Sequence, residues 1–188
     1  MIITITGPRS IGKSTISRIL AKKLKLRYVS SDDIGEKALK KEGGLDKAIK
    51  SGAIKRFIKR GAYSLIRDEY KKDNFVFDLS GGSITSTDFP EASKKVRKVA
   101  NSRSVVIGLL PFKDANKSVV LLFKRERERK HFKDMDKKEL LSKVRRNYNK
   151  FPRIFKSFCD ITLYTENRKP EVVAEKIIKK LNCCLLKN

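Results

Sequence analysis

The residues best equipped for chemistry in this chain stand near its N-terminus, in the stretch Gly7-Pro8-Arg9-Ser10-Ile11-Gly12-Lys13-Ser14. They satisfy the spacing G-x-x-x-x-G-K-[ST]. Small residues let the backbone N–H groups of such a loop wrap phosphate oxygens. Lys13 would reach the β- and γ-oxygens and Ser14 would ligate Mg²⁺. The expected nucleotide-binding set is Gly7, Ser10, Ile11, Gly12, Lys13, Ser14 and Thr15, with ATP and Mg²⁺ as co-substrate and cofactor. Context supports the motif. The β-branched run Ile2–Thr6 precedes it as a buried strand, and from Lys13 the apolar residues Ile16, Ile19, Leu20 and Leu24 fall at helical spacing. A helix that begins at Lys13 turns its N-terminus toward the phosphates.

Two other clusters carry suitable groups. Ser30-Ser31-Asp32-Asp33 closes the short strand "LRYVS", and Asp78 ends the apolar run "NFVFD" just before Ser80-Gly81-Gly82. A carboxylate at a strand end beside a phosphate loop can orient a hydroxyl for in-line attack, and Asp32 is so placed. The competing reading for this segment is a helix N-cap, a role expected of Asp33. Asp78 has the arrangement of a carboxylate that serves the Mg²⁺ shell, together with Ser14. Gly81 and Gly82 allow a backbone to approach an acceptor closely, or to offer N–H groups to a transferred phosphate. Phosphoryl transfer asks a protein mainly for positioning and charge neutralisation. The polar segment "KRERERKHFKDMD" suits a mobile lid, whose arginine would neutralise the transition state once water is excluded.

The elements that must hold these groups alternate. Strands are expected at Ile2–Thr6, 26–30, Phe75–Leu79, Ser104–Leu110 and Ile161–Tyr164. A helix follows Asp33, and after Gly43-Gly44 one longer amphipathic helix carries Ile54, Phe57, Ile58, Leu65 and Ile66 on one face. Further helices are expected at 90–100, from Pro111 with Val119–Phe123 on its inner side, at 137–149, and from Pro170. Such alternation implies an α/β protein with a parallel sheet covered on both faces. Ligands in such sheets bind beyond the carboxyl ends of the strands, where every polar cluster above is located.

Composition bounds the rest. The chain has 188 residues, enough for one ordinary domain, and 39% of them are hydrophobic. Its longest apolar runs are too short to span a bilayer, and the N-terminal run lacks the basic start of a signal peptide. Three cysteines, two of them adjacent at Cys183-Cys184, and the single His131 offer neither a disulfide framework nor a zinc site. A cytoplasmic, monomeric protein is expected. The net charge is +25, with fourteen Lys/Arg against five Asp/Glu between Lys124 and Lys156. That surplus would attract polyanions, nucleic acid among them, with strong salt dependence. A short chain with several charged loops at one sheet edge reads as a small-molecule kinase.

From Met1 to about Leu181 the sequence resembles the shikimate kinase family, a branch of the nucleoside-monophosphate-kinase-like P-loop fold. The most specific piece is Leu79–Ser86, "LSGGSITS", which looks like that family's acceptor loop. The resemblance implies a three-layer α/β/α fold with a five-stranded parallel sheet in the order 2-3-1-4-5 and a mobile lid, all in one kinase domain over residues 1–188. It implies acceptor-binding helices at about 33–72 and a lid at about 125–137. Asp32 falls where the family grips the acceptor hydroxyls, and Arg56 where it keeps an arginine for the acceptor carboxylate. Ser80, Gly81 and Gly82 would complete the acceptor loop. Thr165–Pro170 resembles the loop that lines the adenine, implicating Arg168 and Pro170. Arg129 matches the lid arginine, with Arg125 and Arg127 as competitors. Lys13, Asp32 and Arg129 are thus the expected catalytic residues.

Three positions depart from the family pattern. Ser30 stands where an aspartate usually holds Mg²⁺ through water, Ser80 replaces a glycine, and Phe151 takes the place of a second carboxylate-binding arginine, beside Lys150 and Arg153. Asp78 can compensate the first. The third bears on the acceptor, because lysine does not replace the two-pronged arginine. The implied activity is transfer of the γ-phosphate of ATP to a hydroxyl of a small, anionic acceptor. Residues 1–34 also resemble the start of archaeal-type cytidylate kinases, so a nucleoside monophosphate kinase is the alternative. A nucleic-acid-associated P-loop ATPase, suggested by the basic surface, ranks third.

Overall fold

In a computed structural model, residues 1–129, 132 and 135–185 are described. Five strands form one sheet: β1 (Ile2–Thr6), β2 (Arg27–Ser30), β3 (Phe75–Asp78), β4 (Val105–Leu110) and β5 (Ile161–Tyr164). Their spatial order is β2-β3-β1-β4-β5, as the family resemblance implies, and every neighbouring pair is parallel. β1 lies at the centre with all five residues buried, which explains its lack of alternation. The chain leaves β1 for β2 in one direction and later returns past β1 to β4 in the other. Right-handed crossovers therefore put the connecting helices on opposite faces. The helix α1 (Lys13–Leu24) packs with the last helix, Pro170–Leu185, while the helices at Pro90–Arg103 and Lys150–Phe158 pack against β4.

Register brings the polar loops together. Ile5 and Ser30 both pair with Asp78, so β1, β3 and β2 end side by side. The strand order reverses at β1, between β3 and β4, and the crevice there is where such sheets bind ligands. Among the described residues no helix is long and apolar enough to cross a membrane.

The helical segments differ from expectation in several places. After α2 (Ser31–Ala38), the expected long helix is three short ones: α3 (Leu45–Lys50), α4 (Ala53–Lys59) and α5 (Ala62–Glu69). Gly52 at φ 76° and Gly61 at φ 109° break it, since left-handed backbone cannot continue a right-handed helix. Ile54 and Phe57 pack on a small separate core of Leu39, Ala48 and Ala53, whereas Leu65 is exposed. A short α6 (Gly81–Thr85) precedes α7 (Pro90–Arg103). The helix expected from Pro111 begins later, as α8 (Ala115–Arg127), because Asp114 caps it by accepting from Lys117 N–H at 2.6 Å. Only Val119 and Leu122 of its apolar run are buried; Val120 faces solvent. After α9 (Lys137–Tyr148) comes an unforeseen helix, α10 (Lys150–Phe158), which buries Phe151, Phe155 and Phe158. α11 (Pro170–Leu185) ends the described chain. Of the expected lid, residues 125–127 are the last turn of α8, and 130, 131, 133 and 134 lie outside the described residues.

Candidate functional site

The phosphate loop takes the shape that its sequence demands. Gly12 at φ 98° and Ser10 at φ 61° turn the chain tightly before α1, and no side chain among the described residues caps that helix. Its first N–H groups are therefore free of a protein cap and suited to an anion. A Cβ on Gly7 would lie 2.5 Å from the Leu109 carbonyl oxygen, so only glycine lets the loop lie against β4. Lys13 donates to the Pro8 carbonyl at 3.2 Å. Burial pushes its pKa down, while Asp78 and Asp32 pull it back up. Ser14 and Thr15 are exposed at the start of α1.

The carboxylates surround this lysine. Ser30, not Asp33, caps α2: its Oγ accepts from the N–H groups of Asp32 at 3.2 Å and Asp33 at 3.3 Å. The Asp32 carboxyl is thereby released from capping. Burial raises its pKa, Lys13 and Arg9 oppose that, and Asp78 adds to it. By water-accessible surface Asp32 counts as exposed, yet protein crowds it from several sides. Both hold for a side chain that water reaches on one side and protein approaches on the others, so burial raises the pKa less than full enclosure would. Asp78 is buried, and its Oδ2 accepts from Tyr28 Oη at 3.1 Å. Tyr28, whose own pKa is pushed up to about 12 mainly by burial, lies under the Arg18 guanidinium at 4.1 Å. Ser31 Oγ donates to the Asp78 carbonyl at 3.2 Å and accepts from Ser80 N–H at 2.8 Å, joining the second loop to the third.

The Ser80-Gly81-Gly82 segment is the first turn of α6. A Cβ on Gly81 would stand 2.5 Å from the Gly7 carbonyl oxygen and 2.7 Å from the Phe151 ring. Gly81 is thus wedged between the phosphate loop and α10, while Gly82 is exposed. Phe151 is fully buried and packs edge-on to Phe155, so it is a core residue rather than a vacated carboxylate reader. Lys150, half-buried beside it, reaches the Thr85 carbonyl at 3.5 Å, and Arg97 donates to the Ile84 carbonyl. Both cations therefore stand at the end of the acceptor-loop helix. Arg56 is exposed on α4.

The three lid arginines have different surroundings. Arg125 donates to the Ser10 and Ile11 carbonyls at 3.1 and 3.3 Å and to Asn167 Oδ1 at 3.0 Å. Arg127 stacks over Phe123. Arg129 is exposed and close enough to Lys13 to depress its pKa. A cavity of about 250 Å³ opens between the phosphate loop, Arg125, Thr165, Arg168 and Pro170. Thr165 Oγ1 is buried there with no partner among the described residues, and Arg168 is paired with Glu166 at 2.6 Å. A larger cleft of about 370 Å³, between α5 and α7, lies away from these loops and holds none of their groups. Tyr28 is an addition that sequence reasoning missed, and Lys150 was noted there only as a neighbour of Phe151. Tyr28 shares a strand face with Ser30, and Lys150 adjoins Phe151, but nothing local says where either side chain reaches.

Comparison with known proteins agrees with this geometry. The family model described as shikimate kinase matches residues 9–182. The shikimate kinase of Shewanella oneidensis is 27% identical over 180 residues, covering 95% of each chain. That of Vibrio cholerae is 24% identical over 180 residues, covering 95% of this chain and 94% of the other. Among solved structures, the Acinetobacter baumannii shikimate kinase in complex with shikimate superposes with a TM-score of 0.72 at 19% identity, over 97% of this chain and 93% of that one. The Aquifex aeolicus shikimate kinase gives 0.72 at 20% identity over the full length of both. These structural likenesses are to the fold, a parallel sheet with a P-loop between its central strands. With the family model spanning nearly the whole chain, this protein belongs to the shikimate kinase family and is an ATP-dependent small-molecule kinase that phosphorylates an alcohol hydroxyl.

Proposed function

We propose that the acceptor is shikimate, or a hydroxylated carboxylate of its size, and that the chain 1–188 acts as one kinase domain on it. The observation that carries this reading is the Asp32 carboxyl, freed from capping by Ser30 and near enough to Lys13 for their charges to interact. Relatives at 27% identity named for this activity, and a solved neighbour holding shikimate, support the choice of acceptor.

In this reading the N–H groups of residues 10–15 and Lys13 hold the ATP phosphates. Pro170 and Arg168 line the base cavity, whose buried Thr165 hydroxyl offers a bond to the base. Gly81 and Gly82 bring backbone to the acceptor, and Ser80 is held beside them by Ser31. Asp32 accepts from the attacking hydroxyl and takes its proton as the new O–P bond forms and the bond to the β-phosphate bridging oxygen breaks, releasing ADP. A pKa raised by burial makes that carboxylate a better base. Lys13 and Arg129 neutralise the charge that develops. Arg56 and Lys150 are the cations assigned to the acceptor's carboxylate. Helices over 33–72 form the acceptor side, and the segment 125–137 is the lid.

The donor set fits Mg²⁺. Among the described residues no group of three His, Cys, Asp or Glu could cage a metal. One hydroxyl and one carboxylate are what Mg²⁺ asks of a protein when substrate phosphates and water fill its remaining positions. Ser14 and Asp78 would hold it, and Tyr28 fixes the Asp78 carboxylate. When bound, the ion would neutralise phosphate charge. We also read the protein as a cytoplasmic monomer.

The test is Asp32→Asn in two assays. ADP release with shikimate is expected to fall by about 10²–10⁴-fold while ATP affinity changes little. Turnover that survives within a few-fold would overturn the role given to Asp32.

A further inference from the structure

We propose that Arg125 and Glu126, consecutive residues at the end of α8, are positioning residues that aim the N–H groups of the phosphate loop. The inference rests on the reading of Gly7–Ser14 as the ATP phosphate site. A loop that binds anions through its backbone works only if its peptide planes face one way. Each peptide unit is planar and trans, so its C=O and N–H point in opposite directions; no peptide in the described chain is cis.

The Arg125 guanidinium donates through one nitrogen to both the Ser10 and the Ile11 carbonyls. Those carbonyls share their peptide units with the N–H groups of Ile11 and Gly12. Holding the two oxygens toward Arg125 therefore turns those two N–H groups away from it, toward the anion side of the loop.

Glu126 acts on the same loop from the neighbouring position. It is 4% exposed, and its Oε1 accepts from Ser10 Oγ at 2.8 Å. Ser10 has the left-handed φ of 61°, a conformation uncommon for a residue other than glycine. A buried carboxylate this near a phosphate site would repel the ligand through space. Its place is explained by the hydroxyl it grips rather than by contact with an anion. The second nitrogen of Arg125 donates to Asn167, itself at φ 56°, so a single guanidinium also ties the phosphate loop to the loop that borders the base cavity. Both clamps come from the last turn of α8, at the root of the segment assigned as the lid.

Because Arg125 also lines the base cavity, the test uses tripolyphosphate, which has no base, alongside adenosine, which has no phosphate. Binding to the full chain is measured by calorimetry for the wild type and for Arg125→Lys, Glu126→Gln, Glu126→Ala and Ser10→Ala, each checked for an unchanged melting profile. Arg125→Lys keeps the charge and loses the fork, so tripolyphosphate affinity is expected to fall by about ten-fold, as for the loss of one charge-assisted hydrogen bond. Glu126→Gln keeps an acceptor for Ser10 and is expected to bind nearly as the wild type. Glu126→Ala is expected to weaken binding by several-fold, and Ser10→Ala supplies the same test should that variant not fold.

Two outcomes overturn the proposal. In one, Arg125→Lys lowers only adenosine affinity, which makes Arg125 a base contact. In the other, Glu126→Gln and Glu126→Ala both tighten tripolyphosphate binding, which makes Glu126 a mere through-space charge. Lys13→Ala serves as the separate control. If it leaves tripolyphosphate binding intact, the phosphate-site reading itself fails, whatever the other variants do.

Discussion

Asp32→Asn is expected to act in opposite directions on turnover and on stability. Burial raises the Asp32 pKa, so folding favours its protonated form. Its stabilising contribution is complete below the ordinary carboxylate pKa of about 4 and is lost as pH rises through the folded value. At pH 7 the ionised group is a cost that asparagine removes. The free protein should therefore melt higher as Asp32→Asn at pH 7, with the gain fading below about pH 4. Thermal melts at the two pH values check this, and a lower melting temperature at pH 7 would contradict it. Lys13→Ala makes a different prediction at this scale. Lys13 is partly buried, but among the described residues its side-chain hydrogen bond is to the Pro8 carbonyl of the same loop. Removing it should abolish phosphoryl transfer while leaving the melting temperature nearly unchanged; near-normal turnover would overturn the role of the loop.

At the scale of elements, the corrected cap and the wedged glycine give two expectations. Ser30→Ala removes the acceptor of two helix N–H groups and should cost about 1 kcal/mol, whereas Asp33→Ala should cost far less. Denaturant titration of both variants checks this, and the reverse order would return the cap to Asp33. Gly81→Ala should destabilise the fold and reduce activity together, because the new methyl meets the Gly7 backbone on one side and the Phe151 ring on the other. A Gly81→Ala enzyme with normal melting and turnover would contradict that packing.

The strand positions and the phosphate loop were legible in the sequence because their signals are local: an apolar run, then glycines at fixed offsets. The breaks at Gly52 and Gly61 were not, since apolar spacing runs on through both while the backbone changes hand. Nor was the cap at Ser30, because four consecutive residues are all good caps and only the register of β2 against β3 decides among them. Phe151 misled for a related reason. Sequence alignment gives it a family position, but α10 turns it inward beneath Gly81 and leaves Lys150 at the acceptor loop. The candidate cluster of Lys13, Asp32 and Asp78 was readable as groups at or just beyond the ends of three strands; that Tyr28 braces Asp78 and Arg125 braces the phosphate loop depends on side chains crossing between elements.

The whole molecule carries a net charge of +25, and its co-substrate ATP is an anion. An attractive field of that size raises encounter rates at low salt and is screened as ionic strength rises. The specificity constant for ATP should therefore fall steeply with added salt while kcat changes little. A flat dependence would show that the positive charges are distributed without effect on the site.

The measurement that bears most directly on the central claim is product formation with ATP, Mg²⁺ and one acceptor at a time, followed by ADP release and by mass detection of the phosphorylated acceptor. Shikimate is predicted to support ADP release matched by an equal amount of shikimate phosphate, with CMP, UMP and AMP inert. Phosphorylation of a nucleoside monophosphate with shikimate inert would contradict the account, as would ADP release that no acceptor stimulates.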